Sequence, residues 1–346
     1  MKAWYGLPGR WVWFAALVVA MSAQAAWAAE EVVVKMATLA PQGSEWQEVL
    51  QEMGASWQKA SRGQVALRLY PGGVAGDDND VVRKMRLGTL NAGFLAVQGI
   101  SEIDRSVLAL EIPLAYADYD ELDCVLNQMS PQLEKLFEAK GFIILGWSDA
   151  GWAHFFTKSP VKTPDDMKKQ KMFIWGGDDR YLELWKKAGF NAVPLPSTEI
   201  STALQTGLVN AVTSTAQGVL LLQWYKQVDR MTEFKWAVLL GAMVMTKSTW
   251  DKIPADVRPA IKEAARNACI RLRDFSRQSE PKDIEVLKKN GLEVVPVDGA
   301  ALDEWRRLIE GVLKQVRGSY VPADALDTAM NLRGRCRQKS AGTGGP

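Results

Sequence analysis

Apolar positions in this chain recur with two spacings that take turns, close to every second residue and then every third or fourth, and each spacing names an element. Residues 32–37 form the first strand-like run and lead into a turn at 41–43. Ser44 and Gln47 stand three apart, the spacing of a capping box, and Trp46, Val49, Leu50, Met53 and Trp57 then mark one helical face. Val65, Leu67 and Leu69 alternate as a strand that stops at Pro71-Gly72-Gly73. Val81, Val82 and Met85 begin another helix, and residues 92–97 read as a buried strand. Leu122, Val125, Leu126 and Met129 mark a helix that Pro131 should interrupt, and Leu133, Leu136 and Phe137 carry its apolar face on to Gly141. Residues 142–147 follow as a central strand. A second series repeats the architecture: strand 172–175, helix 181–188 closed by Gly189, strand 192–195, helix 198–206 and strand 208–213. This alternation predicts an α/β fold with a mostly parallel sheet. Ile261, Ala264, Ala265, Ala268, Leu272 and Phe275 predict a long helix, and Leu302, Trp305, Ile309 and Val312 another. No tandem repeat and no Pro/Gly-rich linker divides the two series, so two lobes joined by continuous strands are expected.

The start of the chain has a different pattern. Lys2 and Arg10 precede the apolar run 11–20, and Ala26-Trp27-Ala28 follows, which is the form of a secretory leader cleaved near Ala28. Ten apolar residues are too few for the roughly 20 that span a bilayer. Over all 346 residues the chain is 47% hydrophobic and 24% charged, enough to bury a full core and unlike a disordered or collagen-like polymer. Its 42 Lys plus Arg against 40 Asp plus Glu show no basic surplus, so no nucleic acid partner is expected. An exported chain can form disulfides, but Cys124, Cys269 and Cys336 are odd in number, so at least one thiol stays unpaired in a monomer. Cys124 and Cys269 fall in helix-like segments, where a free thiol behaves as a small buried hydrophobe. There is no CxxC and no Cys/His cluster, so neither a zinc site nor any cofactor is expected.

Five segments, in order and spacing, resemble the DctP family, the extracytoplasmic solute-binding proteins of tripartite ATP-independent periplasmic (TRAP) transporters. They are RLYPGGVAGDDNDVVRKMRLGTLNAGFL (68–95), EIPLAYADYDEL (111–122), KGFIILGWSDAGW (140–152), VKTPDDMKKQKMFI (161–174) and PLPSTEISTALQTGLVNAV (194–212). The resemblance spans about residues 33–265. It implies a two-lobed periplasmic-binding-protein-like fold, a ligand cleft between the lobes, long helices across both, and closure by hinge motion. The lobes are expected at 29–149 with 240–280 and at 150–239 with 281–335, after a leader at 1–28 and before a disordered tail at 336–346. The implied location is the periplasm, and the implied partners are a small-molecule ligand and a TRAP permease of two membrane subunits. Some relatives also use a helical-repeat (TPR) periplasmic protein. A monomer is the expectation.

Ligands in such folds bind beyond the carboxyl ends of strands, so the chemistry at those ends decides the ligand class. The resemblance implies a Lys-Ile-Arg-Val strand whose Arg pairs with a substrate carboxylate, yet the matching residues here are Lys171-Met172-Phe173-Ile174. A second basic residue is implied after a Gly-aromatic pair; here Gly151-Trp152 is followed by Ala153. Thr213-Ser214-Thr215 replaces an Asn-bearing segment, and Ser197 replaces an aromatic before Thr198-Glu199. All four departures disfavour a carboxylate and favour an apolar or uncharged ligand. The candidate lining is Trp46, Phe94, Trp152, Phe173, Trp175 and Trp236, with Gln98, Ser214 and Thr215 to orient the ligand. Period two along a strand sets Phe173 and Trp175 on one face. Each aromatic has an alternative place in the core. Two other readings stay open: an organic-acid binder using a relocated basic residue such as Arg180 or Arg68, and a partner protein whose cleft is filled by its own aromatics. Catalysis is not expected, because His154 is the sole His and no nucleophile elbow or phosphate loop is present.

Overall fold

The computed structural model describes residues 31–342, and the leader expected at 1–28 lies outside them. The chain opens with β1 (Val32–Thr38), α1 (Glu45–Ala60), β2 (Val65–Tyr70), α2 (Asp78–Arg86), β3 (Ala92–Ala96), α3 (Val97–Ser101), α4 (Tyr119–Ala139) and β4 (Phe142–Thr157). There follow α5 (Pro164–Lys168), β5 (Lys171–Trp175), α6 (Asp179–Lys187), β6 (Asn191–Leu195), α7 (Ile200–Thr206), β7 (Ala211–Thr215), α8 (Ala216–Leu221) and β8 (Arg230–Thr232). The last elements are β9 (Ala237–Thr246), α9 (Lys247–Trp250), α10 (Arg258–Lys289), β10 (Glu293–Val295), α11 (Gly299–Val316) and α12 (Ala323–Gly342).

Local chemistry sets several of these boundaries. Ser44 Oγ accepts the Gln47 N–H at 3.4 Å, while Gln47 Oε1 accepts the Gly43 N–H at 2.6 Å, so the expected capping pair closes one residue early. Thr163 and Asp166 form a complete reciprocal box that starts α5. Pro131 does not interrupt α4, which runs unbroken over 21 residues. Its buried face continues on both sides of the proline, with Val125, Leu126 and Met129 before it and Leu133 and Phe137 after it.

The strands form a mixed sheet in the order β2-β1-β3-β9-β4-β7-β5-β6, not the mostly parallel sheet expected. β1 runs parallel to β2 and β3, and β5 runs parallel to β6 and β7. Between these two parallel sets lie β9 and β4, antiparallel to each other from Phe142↔Thr246 to Ala153↔Ala237. β3 pairs with the far end of β9, and β7 with the far end of β4. The two long strands therefore carry the chain between the halves. β4 breaks register between Asp149 and Trp152, where Gly151 adopts a positive φ of 91°. A bulge at that place bends the strand and decides which way the next side chains face.

Four apolar clusters cover the sheet. α1 and α10 close one face of the first half through Leu50, Trp57, Ile261 and Leu272, and Trp57 Nε1 donates to the Ile261 carbonyl at 3.0 Å. α10 then reaches the second half, where Leu287 joins Phe156, Val212 and Leu292. It is thus the expected long helix across both halves. Trp305 of α11 packs with Phe155 and Phe190.

The C-terminal end departs from expectation twice. α12 continues to Gly342, so residues 336–342 are helical, not a disordered tail. Ala325, Leu326, Ala329 and Leu332 pack with Leu122, Val125 and Leu133 of α4, which places this helix on the first half although 281–335 was assigned to the second. Cys124 and Cys336 are joined as a disulfide, so Cys124 is not the free thiol expected; Cys269 is buried and free. The missed pairing is long range, 212 residues apart, and becomes visible only once α12 lies along α4. Dithiothreitol should lower the thermal midpoint by the equivalent of about 2–5 kcal/mol, and Cys124→Ser should match the reduced protein. An unchanged midpoint in both would show that this bridge does not fasten α12.

Candidate ligand-binding cleft

Two adjoining cavities lie between the halves and share Trp175, Thr213 and Leu239. The first has a volume of about 330 Å³, within the usual range of small-molecule sites. Trp46 and Phe94 form one wall, their rings stacked at 5.4 Å. Ser148, Ser197, Ser201, Ser214 and Thr215 supply hydroxyls. The second, of about 180 Å³, is lined by Gln98, Glu111, Phe173, Trp175, Trp185 and Trp236 among others.

Contacts across the cleft draw the halves together. Trp46 Nε1 donates to Gln217 Oε1 at 2.9 Å, a bond from α1 to α8. Asp77, which caps α2 by accepting the Asp78 N–H, also accepts the Ser197 N–H at 3.0 Å and the Ser197 hydroxyl at 2.6 Å. Asn79 Nδ2 donates to the Gly176 carbonyl at 3.1 Å. Gly73, at φ 72°, allows the close approach beside this bridge, because a Cβ there would fall 2.7 Å from Thr198 Cγ2. Arg105 pairs with Asp178 along the same seam.

The structure distributes the residues singled out from sequence. Trp46, Phe94, Trp175, Ser214 and Thr215 line the first cavity; Gln98, Phe173, Trp236 and again Trp175 line the second. Phe173 is only 3% exposed and belongs also to the core of the second half. Trp152 lines neither cavity. It is 2% exposed and tilts against Tyr119 at 5.2 Å, because the bulge after Asp149 turns it onto the first-half core and leaves Ala153 on the cavity side. Asp78, Glu111 and Gln217 were missed. Asp78 looks like an ordinary first-turn acid, and Glu111 follows the short helical turn at Arg105–Leu110 with no periodicity to flag it.

No Lys, Arg or His lines either cavity among the described residues. Arg180 is exposed and pairs with Asp178, and Arg68 is exposed with its guanidinium over Tyr70, so neither is the relocated basic residue considered above. Three carboxyls do reach the cavities. Asp149 is ion-paired with Arg277 at 2.6 Å. The other two carry no counter-charge: burial pushes the Asp78 carboxyl up to about 8 against the Ala96 N–H bond, and burial pushes Glu111 up to about 8 against a smaller pull from Gln98. Near neutral pH both are chiefly uncharged acids. Asp78 Oδ1, Gln98 Oε1, Glu111 Oε2 and Trp175 Nε1 are buried without a hydrogen-bond partner among the described residues. No group of His, Cys, Asp and Glu among these residues is arranged to hold a metal ion.

Residues 36–318 match the model of DctP, the bacterial extracellular solute-binding protein family 7. The chain belongs to this family. Its members are solute-binding proteins of TRAP transporters, not enzymes, so this receptor works outside the cytoplasm with a membrane permease. No helix among the described residues is long and apolar enough to cross a membrane. The receptor is 25% identical over 245 residues to the C4-dicarboxylate-binding periplasmic protein DctP of Rhodobacter capsulatus, covering 68% of this chain and 71% of that one. It is 23% identical over 242 residues to the 2,3-diketo-L-gulonate-binding periplasmic protein YiaO of Escherichia coli, covering 69% and 73%. In fold it is similar to the two-lobed sugar acid binding protein DctPAm of Advenella mimigardefordensis, solved with galactonate. There the TM-score is 0.82 and the identity 17%, over 89% of this chain and 99% of that one.

The two raised carboxyls tie stability to pH. Their folded pKa values, about 8, exceed ordinary values of 3.8 and 4.5, so the folded receptor holds protons that the unfolded chain releases. The stability these two groups contribute is therefore fully present below those ordinary values and falls as pH climbs towards 8, by up to about 1.4 kcal/mol per pH unit for each group. Thermal melts of Asp78→Asn between pH 6 and 8 should fall less steeply than those of the native receptor. Parallel slopes would mean that Asp78 ionises without hindrance in the fold.

Proposed function

We propose that this receptor captures an uncharged, largely apolar small molecule between its lobes and closes on it by hinge motion, for delivery to a TRAP permease. The observation that carries this reading is the lack of any cationic side chain on the described lining, in a fold whose relatives are named for binding C4-dicarboxylate, 2,3-diketo-L-gulonate or galactonate. Phe173 and Ala153, at the two positions where the family resemblance implies basic residues, both line the second cavity. Removing one partner of a buried charge pair commonly costs roughly 2–5 kcal/mol, about 30-fold to several thousand-fold in affinity. The two unpaired acids worsen the site for an anion, since any ionised fraction repels it. Apolar burial works in the other direction. Roughly 300 Å² of ligand surface against Trp46, Phe94, Trp175 and Trp236 would contribute about 7 kcal/mol before the costs of association. Ser214 and Thr215 would orient the ligand. The bridges from Trp46 to Gln217 and from Asp77 to Ser197 would hold the closed state, with the receptor acting as a monomer exported by its leader. A helical-repeat periplasmic partner fits a ligand of low solubility.

Galactonate, succinate and 2,3-diketo-L-gulonate at millimolar concentration should leave the thermal midpoint of the purified receptor unchanged. Native mass spectrometry of protein never exposed to denaturant should show a retained molecule of low polarity. A rise of several degrees with any of the three acids would overturn the reading.

A further inference from the structure

We infer that the second cavity is a head-group subsite in which Gln98 and Glu111 bind an uncharged hydroxyl on the ligand, while the ligand's apolar body lies in the first cavity. This rests on the reading of the cleft as an uncharged site and adds the chemical class of its ligand. The two cavities adjoin at Trp175, Thr213 and Leu239, so one elongated molecule can occupy both. Most of the second cavity's lining is hydrocarbon and aromatic ring: Phe173, Trp175, Tyr181, Trp185 and Trp236. Against that background the Gln98 side chain faces the Glu111 carboxyl and bonds it through its amide, while Gln98 Oε1 and Glu111 Oε2 are two buried oxygens with no partner among the described residues. Leaving a polar group buried and unmet is costly, so a ligand that meets both gains what the empty receptor lacks.

The alternatives differ in how they treat this pair. A carboxylate only accepts, and would set its charge against the Gln98 oxygen. A ketone or ether also only accepts, and leaves Gln98 Oε1 unmet. An ammonium only donates and needs Glu111 ionised, which burial opposes, since it holds that carboxyl up to about 8. A hydroxyl donates to Gln98 Oε1 and accepts the proton of the neutral Glu111 acid, so both oxygens gain a partner and no charge is buried.

Calorimetric titration of the mature receptor with four probes of one shape tests this: 2-naphthol, naphthalene, 2-naphthoate and 2-naphthylmethylammonium. 2-Naphthol should bind about 5- to 150-fold more tightly than naphthalene, the worth of two net hydrogen bonds. Glu111→Gln keeps a neutral donor and should keep that ratio, whereas Glu111→Leu or Gln98→Leu should each lower it by about 3- to 12-fold. Equal binding of naphthol and naphthalene by the native receptor overturns the head-group subsite and leaves the apolar cleft standing. A ratio unmoved in folded Leu variants does the same, as does tightest binding by the ammonium. Tightest binding by 2-naphthoate, or no binding of any probe, overturns the uncharged cleft as well.

Discussion

The antiparallel ladder between β4 and β9 is the constraint on which the rest of the molecule depends. Both strands are shared by the two halves of the sheet, so neither half can form its core without them, and the cleft lies where they cross from one to the other. The bulge after Asp149 sits at that crossing, held by a compact charge cluster. Asp149 accepts the Gly151 N–H at 3.1 Å and pairs with Arg277 of α10, which also binds Asp123 of α4 at 2.7 Å. A buried ion group of this kind is a poor source of net stability. Its evident service here is geometric, because it ties strand, long helix and α4 beside the register shift between Asp149 and Trp152.

That geometry sorts the side chains around the cleft. Trp152 goes to the core and Ala153 to the cavity because the bulge sits just before them; one residue of shift would exchange the two. Phe173 and Trp175 share a face of β5, with ring centres 5.2 Å apart; Phe173 lines the second cavity and Trp175 lines both. A cation at either of the two basic positions implied by the family would enter this same space. Hydrocarbon fills it instead, and the acids that reach the lining respond by retaining protons. Among the described residues the lining thus carries no Lys, Arg or His, and its acids are Asp78, Glu111 and the Arg277-paired Asp149.

Much of the architecture was legible in advance. The helical face from Trp46 to Trp57, the turn at Pro71-Gly72-Gly73, the start at Thr163-Pro164 and the long helix through Leu272 are all local patterns, and each formed where expected. Phe94 of β3 and Trp175 at the end of β5 line the first cavity. The failures share a cause. Pro131 inside α4, the pairing of Cys124 with Cys336, the packing of α12 on α4 and the burial of Trp152 each depend on a partner remote in sequence or on a register shift.

From the chain alone came the identity of the repeating units, the family to which they belong, and the substitution of Phe173 and Ala153 where basic residues are implied, because these depend on residue type and near-neighbour spacing. The tertiary structure alone decided that, among the described residues, no other Lys or Arg comes in to replace them, and that burial raises the carboxyls of Asp78 and Glu111. Charge in a cavity is set by every group within several ångströms and by the solvent excluded, and neither quantity exists until the two halves of the sheet face each other.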